Sequence, residues 1–214
     1  SVRFGMDMQN HRSRWFESGD SPRCGELLRI DRGLRMNYSD RVHVYVDGSC
    51  AENRNVDSET RAGWGLCVIE GDSSSGRGHG NLIFESNGLV VTSPTKEGYI
   101  GAHVGSNNTA ELSAVAHALR WVLGNAQIVS VKIRSDSNYA LKIASGEWKA
   151  KANLGLSTKV RSLWDEVREL IELKGEHVPA HSGHRWNERA DHLAFRAMRG
   201  EKALPLQFWK PGQR

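Results

Sequence analysis

The amino-acid sequence predicts an α/β fold: a five-stranded mixed sheet, three antiparallel strands followed by two parallel ones, with helices on both faces. Three observations carry this expectation. Apolar residues alternate in successive short segments between Val42 and Val91, the period then lengthens to that of a helix, and strand-like and helix-like segments take turns from Ile128 to Met198. Strands joined by short turns pair antiparallel, whereas strands separated by a helix return parallel, so the order of the segments implies a mixed sheet.

The first strand is VHVYVDGS, where Val42, Val44 and Val46 alternate with His43, Tyr45 and Asp47, and Gly48 ends the run. GWGLCVIEG reads as the second, the Gly/Ser-rich GDSSSGRGHG as a hairpin connection, and NLIFESNGLVV as the third. From Asn108 onward Leu112, Val115, Ala116, Leu119 and Leu123 recur at helical spacing, with Gly124 and Asn125 as a C-cap. IVSVKIRSD is a fourth strand, SNYALKIASGEW a short helix, and Leu156 to Leu173 a longer one with Leu163, Val167, Leu170 and Ile171 on its apolar face. EHVPAH is read as a short fifth strand and Asn187 to Met198 as the last helix. Residues 41–200 thus form one domain, preceded by an extension of unassigned role at 1–40 and followed by a tail at 201–214.

A chain of 214 residues that is 38% hydrophobic and 25% charged is sized for one sizeable globular domain with an extension. It has neither a run of some 18 apolar residues nor a signal-peptide core at its start, so a soluble protein is expected, with no membrane partner. Cys24, Cys50 and Cys67 are odd in number and fit no CxxC spacing, which favours free thiols and an intracellular setting. A net charge of +4 and a pI near 9.1 tolerate a polyanionic partner without requiring one. The first residue is Ser, which suggests a processed or excised chain, and Asp7, Glu17, Asp20, Glu26 and Asp31 in the Arg-rich extension argue against a transit peptide.

Chemistry concentrates at the ends of the predicted elements. Asp47 ends the first strand, Glu111 lies in the first turn of the first long helix, Asp136 ends the fourth strand, and Asp191 sits near the start of the last helix. Each has a plain structural explanation: Asn108 and Glu111 fit a capping box, Asp136 and Asp191 suit helix N-termini, and Asp47-Gly48 suits a turn. Their joint placement favours another. If the first and fourth strands are neighbours, Asp47 and Asp136 converge, and the helix can bring in Glu111. Such a cluster would repel itself and raise its own pKa values, so it makes sense chiefly as a cradle for divalent cations, and all-oxygen donors select Mg2+ or Mn2+ over zinc. A zinc site from His181, His184 and His192 would lack sulfur ligands and leave the carboxylates unexplained.

DGS at 47–49, NNTAEL at 107–112, SDSNYAL at 135–141 and HSGHRWNERAD at 181–191, in this order, resemble the four catalytic motifs of the cellular-type (type 1) ribonuclease H family, whose members cut the RNA strand of RNA/DNA hybrids. The resemblance spans about residues 41–200 and implies a ribonuclease H-like fold. It further implies that Asp47, Glu111, Asp136 and Asp191 ligate two Mg2+ ions, roughly 3.5 to 4 Å apart in such sites. Asp47 would bridge them, Asp191 would serve the water-activating side, and Glu111 and Asp136 the leaving-group side, giving 5′-phosphate and 3′-hydroxyl ends. His181 matches the loop histidine that assists proton transfer or product release, while His184 matches a structural position. Substrate contact is implied for Gly48, Ser49, Cys50, Asn53, Asn107, Asn108, Ser137 and Asn138, and a DNA-phosphate grip for Ser106.

The chain departs from many cellular members in one respect. GEWKAKANLGLSTKVRSLW carries Trp148, Lys149, Lys151, Lys159 and Arg161 but no full inserted helix after the second helix, as in handle-less or retroelement-derived members. The loop from Thr92 to Ser106 is longer than a tight connection requires. Two other readings stay open: a catalytically idle module binding RNA or protein inside a ribonucleoprotein, and the ribonuclease H domain of a retroelement polyprotein with a polymerase partner. Without such a partner a monomer is expected.

Overall fold

In the computed structural model, which describes residues 40–52, 54–72, 77–180 and 182–214, alternation and helical period translate into nine elements. In chain order they are β1 (Arg41–Cys50), β2 (Ala62–Glu70), β3 (Asn81–Leu89), α1 (Asn107–Leu123), β4 (Ser130–Ser135), α2 (Asn138–Ser145), α3 (Leu154–Leu170), β5 (Glu172–His177) and α4 (Arg185–Arg199). These residues lie in one unit spanning Tyr38–Arg214.

The five strands form one sheet in the order β3-β2-β1-β4-β5. β1 pairs antiparallel with β2 and β2 with β3, while β1–β4 and β4–β5 are parallel, as the mixed-sheet expectation requires. β1 is the central strand and buries both faces. On one side Val42, Val44 and Val46 join Leu66 and Val68 against Leu112, Val115 and Leu119 of α1 and Leu156, Val160 and Trp164 of α3. On the other, Tyr45, Cys67 and Ile69 meet Trp186 and Ala190 of α4. The alternation of β1 therefore assigns Asp47 to the α4 side of the sheet, two residues beyond Tyr45.

The approach of α4 depends on glycine. A Cβ on Gly65 of β2 would stand 2.5 Å from the carbonyl oxygen of Ala190 and 2.6 Å from the amide nitrogen of Ala194, so only a residue without one lets the helix lie this close. No described helix is long and apolar enough to cross a membrane.

Several boundaries differ from the sequence expectation. β5 is not EHVPAH but Glu172–His177, and α3 stops at Leu170 rather than Leu173. Leu170, Ile171 and Leu173 suit a helix face, but Leu170 is exposed, Ile171 is already extended, and Leu173 pairs with Val131 of β4. Parallel pairing has overridden local periodicity, and Pro179, which has no N–H to donate, follows the last sheet-side bond from Val178 to Ser135. β1 runs past Gly48 because Ser49 and Cys50 still pair with Gly63 and Ala62. α4 begins two residues before Asn187, at Arg185.

The first long helix is capped differently as well. Its N-cap is Ser106, whose hydroxyl accepts from the Thr109 amide at 3.2 Å while the Thr109 hydroxyl accepts from the Ser106 amide at 2.8 Å. Asn108 is therefore inside the helix, and Glu111, in the second turn, caps nothing. Its carboxylate accepts instead from the Asn107 and Ser137 side chains.

Residues 201–214 pack back along α4. Trp209 is buried, its indole lies under the Arg189 guanidinium, and His192 accepts from the Leu204 amide through Nε2 at 3.0 Å.

Candidate active site

Parallel register decides which acids meet. β1 and β4 align Tyr45 with Arg134, so two residues further on Asp47 stands beside Asp136, at the carboxyl ends of adjacent strands. Asp47 is almost fully buried, and its Oδ1 accepts from the Gly48 amide at 2.7 Å. Asp191 reaches the same place from the second turn of α4, and Glu111 from α1.

Gly48 is what lets α1 deliver Glu111. A Cβ at this position would lie 2.4 Å from the Glu111 amide nitrogen and 2.7 Å from the Ala110 carbonyl carbon, both backbone atoms that cannot step aside. Gly48→Ala is therefore expected to push α1 off β1, destabilising the fold by roughly 1–3 kcal/mol and displacing Glu111 from Asp47. A melting curve checks the first effect and metal titration the second; a variant with unchanged stability and metal affinity would refute this account of Gly48.

The acids perturb one another. Asp47 is held well above the usual carboxylate range, first by burial and then by the charges of Asp136, Asp191 and Glu111, with the Gly48 N–H opposing. Glu111 is pushed up to about 7, mainly by burial and further by Asp136, against hydrogen bonds from Ser137 and Asn107. Asp47 thus feels the charge of all three other acids, and Glu111 that of Asp136. Among the described residues no three acidic, imidazole or thiol groups are placed closely enough to hold a metal ion together. Each acid is held by a neighbour: Asp47 by the Gly48 amide, Glu111 by the Ser137 hydroxyl and, at 2.5 Å, by Asn107 Nδ2, Asp136 by Asn187 Nδ2 at 3.4 Å, and Asp191 by Arg214. An all-carboxylate donor set, self-repelling and partly buried, fits hard divalent cations such as Mg2+ or Mn2+.

The other expected site residues divide into three groups. Asn107 and Ser137 touch Glu111, and Ser137 also caps α2 by accepting from Ala140. Asn108 and Asn138 are exposed on the first residues of α1 and α2, Gly48, Ser49 and Ser106 are half-buried, and the half-buried Cys50 donates its thiol hydrogen to the Glu52 carbonyl at 2.8 Å. Asn53 and His181 lie outside the described residues.

The remaining histidines of the last motif have structural partners. His184 is the N-cap of α4, is buried, and faces the Tyr45 hydroxyl at 3.2 Å, while both ring nitrogens of His192 are engaged with the tail. That disposes of a zinc site built on them. Two residues at the acids were missed in the sequence. Asn187 stands one turn before Asp191 on α4, so helical spacing could have found it. Arg214 makes two bonds to Asp191, from Nε at 2.8 Å and from Nη2 at 3.0 Å, and nothing local in KPGQR signals this.

The RNase H family model matches residues 39–199, the segment that contains the sheet, its helices and all four acids. The chain belongs to the RNase H family. Among relatives, it is 33% identical over 165 residues to a Ribonuclease H of Ralstonia nicotianae, covering 72% of this chain and 88% of that protein. A Ribonuclease H of Anaplasma marginale is 32% identical over 175 residues, with coverages of 77% and 95%. Solved structures share the RNase H fold at lower identity: LC11-RNase H1 in complex with RNA/DNA hybrid, at 23% identity and a TM-score of 0.53, matches over 74% of this chain and 97% of that one. The PFV RNase H domain, at 18% and 0.53, matches over 75% and 96%.

Proposed function

We propose that this chain is an endoribonuclease that hydrolyses the RNA strand of RNA/DNA hybrids, with Asp47, Glu111, Asp136 and Asp191 holding two Mg2+ ions, for which Mn2+ can substitute. The convergence of these four acids at the ends of β1 and β4 is the observation that carries the reading. Membership of the RNase H family, with relatives named Ribonuclease H at 33% and 32% identity, supports it. Bound there, the ions would supply an activated water and charge stabilisation for the departing 3′ oxygen, so that products carry 5′-phosphate and 3′-hydroxyl ends.

The chain's own groups would do the positioning. Asn107 and Ser137 hold the Glu111 carboxylate, and Asn187 holds that of Asp136, so the acids keep their orientation before substrate arrives. Asp47 would face both ions, Asp191 the side of the attacking water, and Glu111 and Asp136 the side of the leaving group. The exposed amides of Asn108 and Asn138, with Gly48, Ser49, Cys50 and Asn53 nearby in the motifs, suit the minor groove of the hybrid, where 2′-hydroxyls mark the RNA strand. Ser106 would meet a DNA phosphate, and His181 would assist proton transfer or product release.

Labelled RNA/DNA hybrid, duplex RNA and single-stranded RNA, each incubated with and without Mg2+, test the proposal. Only the RNA of the hybrid is expected to be cut, only with the metal, and not by Asp136→Asn. Hybrid binding without metal-dependent cleavage, or equal cleavage by the variant, would instead make the chain a binding module.

A further inference from the structure

The strongest feature outside the four acids is the strap formed by residues 201–214. Its path is specified at several points. The Leu204 amide donates to His192 Nε2 at 3.0 Å, which leaves Nδ1 of that ring to donate to the Gln213 carbonyl, also at 3.0 Å. The Trp209 indole N–H donates to the same Gln213 oxygen at 3.1 Å, and the Gln213 side chain accepts from the Lys210 amide at 2.8 Å. Leu204 also accepts from the buried Arg189 at 2.8 Å. Gln213 is thus pinned by two donors from buried rings, and the next residue is set down beside the acids.

That residue is Arg214. Its guanidinium makes a two-point pair with Asp191 at 2.8 and 3.0 Å and lies 5.8 Å from the centre of the Phe195 ring, one turn further along α4. Asp191 is the acid assigned to one ion side of the site, and a carboxylate that gives both oxygens to a guanidinium has fewer lone pairs to offer a cation. Positive charge at this spot also answers the repulsion among the acids, since Arg214 is attracted to Asp47 and Glu188 as well as to Asp191. Its side chain is 52% exposed, so it can swing away without breaking the buried anchors at Trp209 and His192.

We propose that Arg214 is a built-in counter-cation of the metal site: it neutralises Asp191 in the metal-free protein and is displaced when a divalent ion binds there. The proposal rests on the reading of the four acids as metal ligands. By linkage, whatever factor the ion takes from the Arg214–Asp191 pair, the pair takes from the ion's affinity. The strap therefore sets the metal concentration at which the site fills.

Mn2+ binding, read by the loss of the free-ion electron paramagnetic resonance signal, tests this without nucleic acid or turnover. The wild-type chain, Arg214→Ala, Arg214→Lys and Asp191→Asn are titrated in parallel. Arg214→Ala is expected to lower the half-saturating Mn2+ concentration by roughly two- to five-fold, the range into which the strength of a partly exposed ion pair converts. Arg214→Lys, which keeps the charge but not the fork, should fall between wild type and Arg214→Ala. In wild type, Mg2+ should also shift the Arg214 Nε–H resonance as the pair opens. Equal or weaker Mn2+ binding by Arg214→Ala, or an unmoved resonance at saturating Mg2+, overturns the role of Arg214 while leaving the metal site standing. Absence of Mn2+ binding by all four proteins overturns the metal reading itself and this proposal with it.

Discussion

Asp47→Asn is expected to raise the melting temperature of the metal-free protein while lowering cleavage of RNA/DNA hybrids by about 10³-fold or more, since loss of metal-borne stabilisation removes several kcal/mol at tenfold per 1.36 kcal/mol. The two effects share one cause. Asp47 is buried among Asp136, Asp191 and Glu111, so its charge is opposed by desolvation and by three like charges. An amide of the same shape still accepts from Gly48 and removes the repulsion. Gains of this kind are about 0.5–2 kcal/mol, which for a domain of this size is roughly 1–8 °C.

The pH dependence follows the same sign. Asp47 and Glu111 have pKa values raised in the folded state, Glu111 to about 7, so the unfolded chain releases their protons first as pH rises. Their contribution to stability is complete below the unfolded carboxylate range and is lost as pH climbs through about 7 for Glu111. The metal-free wild type should therefore lose stability across this window, Asp47→Asn should lose less, and Mg2+ should restore the wild type but not the variant. Thermal melts between pH 4.5 and 8, with and without Mg2+, decide the matter. A lower melting temperature for Asp47→Asn at pH 8 without metal would contradict the repulsion on which the site assignment rests.

Arg189→Ala should have the largest effect on stability. The Arg189 side chain is fully buried, donates to both oxygens of Glu85 at 2.8 and 2.6 Å, donates to the Leu204 carbonyl, and lies 5.3 Å from the centre of the Trp209 ring. It ties α4 to β3 and to the strap at once. Its removal leaves a cavity and deprives the half-buried Glu85 of its partner, a loss toward the lower end of that for a broken buried pair, about 3 kcal/mol, equivalent to roughly 6–12 °C. Denaturant unfolding measures the loss, and hydrogen exchange should show the amides of residues 204–213 losing protection. Since an apolar pair can replace a buried ion pair, Arg189→Met combined with Glu85→Leu should recover part of the stability. A loss under 1 kcal/mol for Arg189→Ala would show that the strap and β3 are held by other contacts.

How far the site could be read in advance depended on whether a residue's role is local. Val42, Val44 and Val46 announce a strand by their spacing, and Leu112, Val115 and Leu119 announce a helix, because one period buries one face. The boundaries failed where two local explanations competed. Asn108 and Glu111 have capping-box spacing, yet Ser106 and Thr109 make the box, because the Ser106 backbone is extended and both of its partners are satisfied. Ile171 and Leu173 continue the helical stripe of α3, yet Ile171 ends the helix and Leu173 is drawn into the sheet by pairing with Val131 of β4.

The sequence by itself determined the order of the elements and the mixed sheet, and it singled out the four acids proposed as metal ligands, since each is written in a short motif or a repeating period. Tertiary structure alone decided that Gly48 must lack a side chain for α1 to reach β1, that Asn187 turns to Asp136, and that Arg214 returns to Asp191. Those contacts join residues 63, 51 and 23 positions apart. Their energy depends on distances set only when the sheet register and the packing of α4 are complete, and no local pattern of residues records such distances.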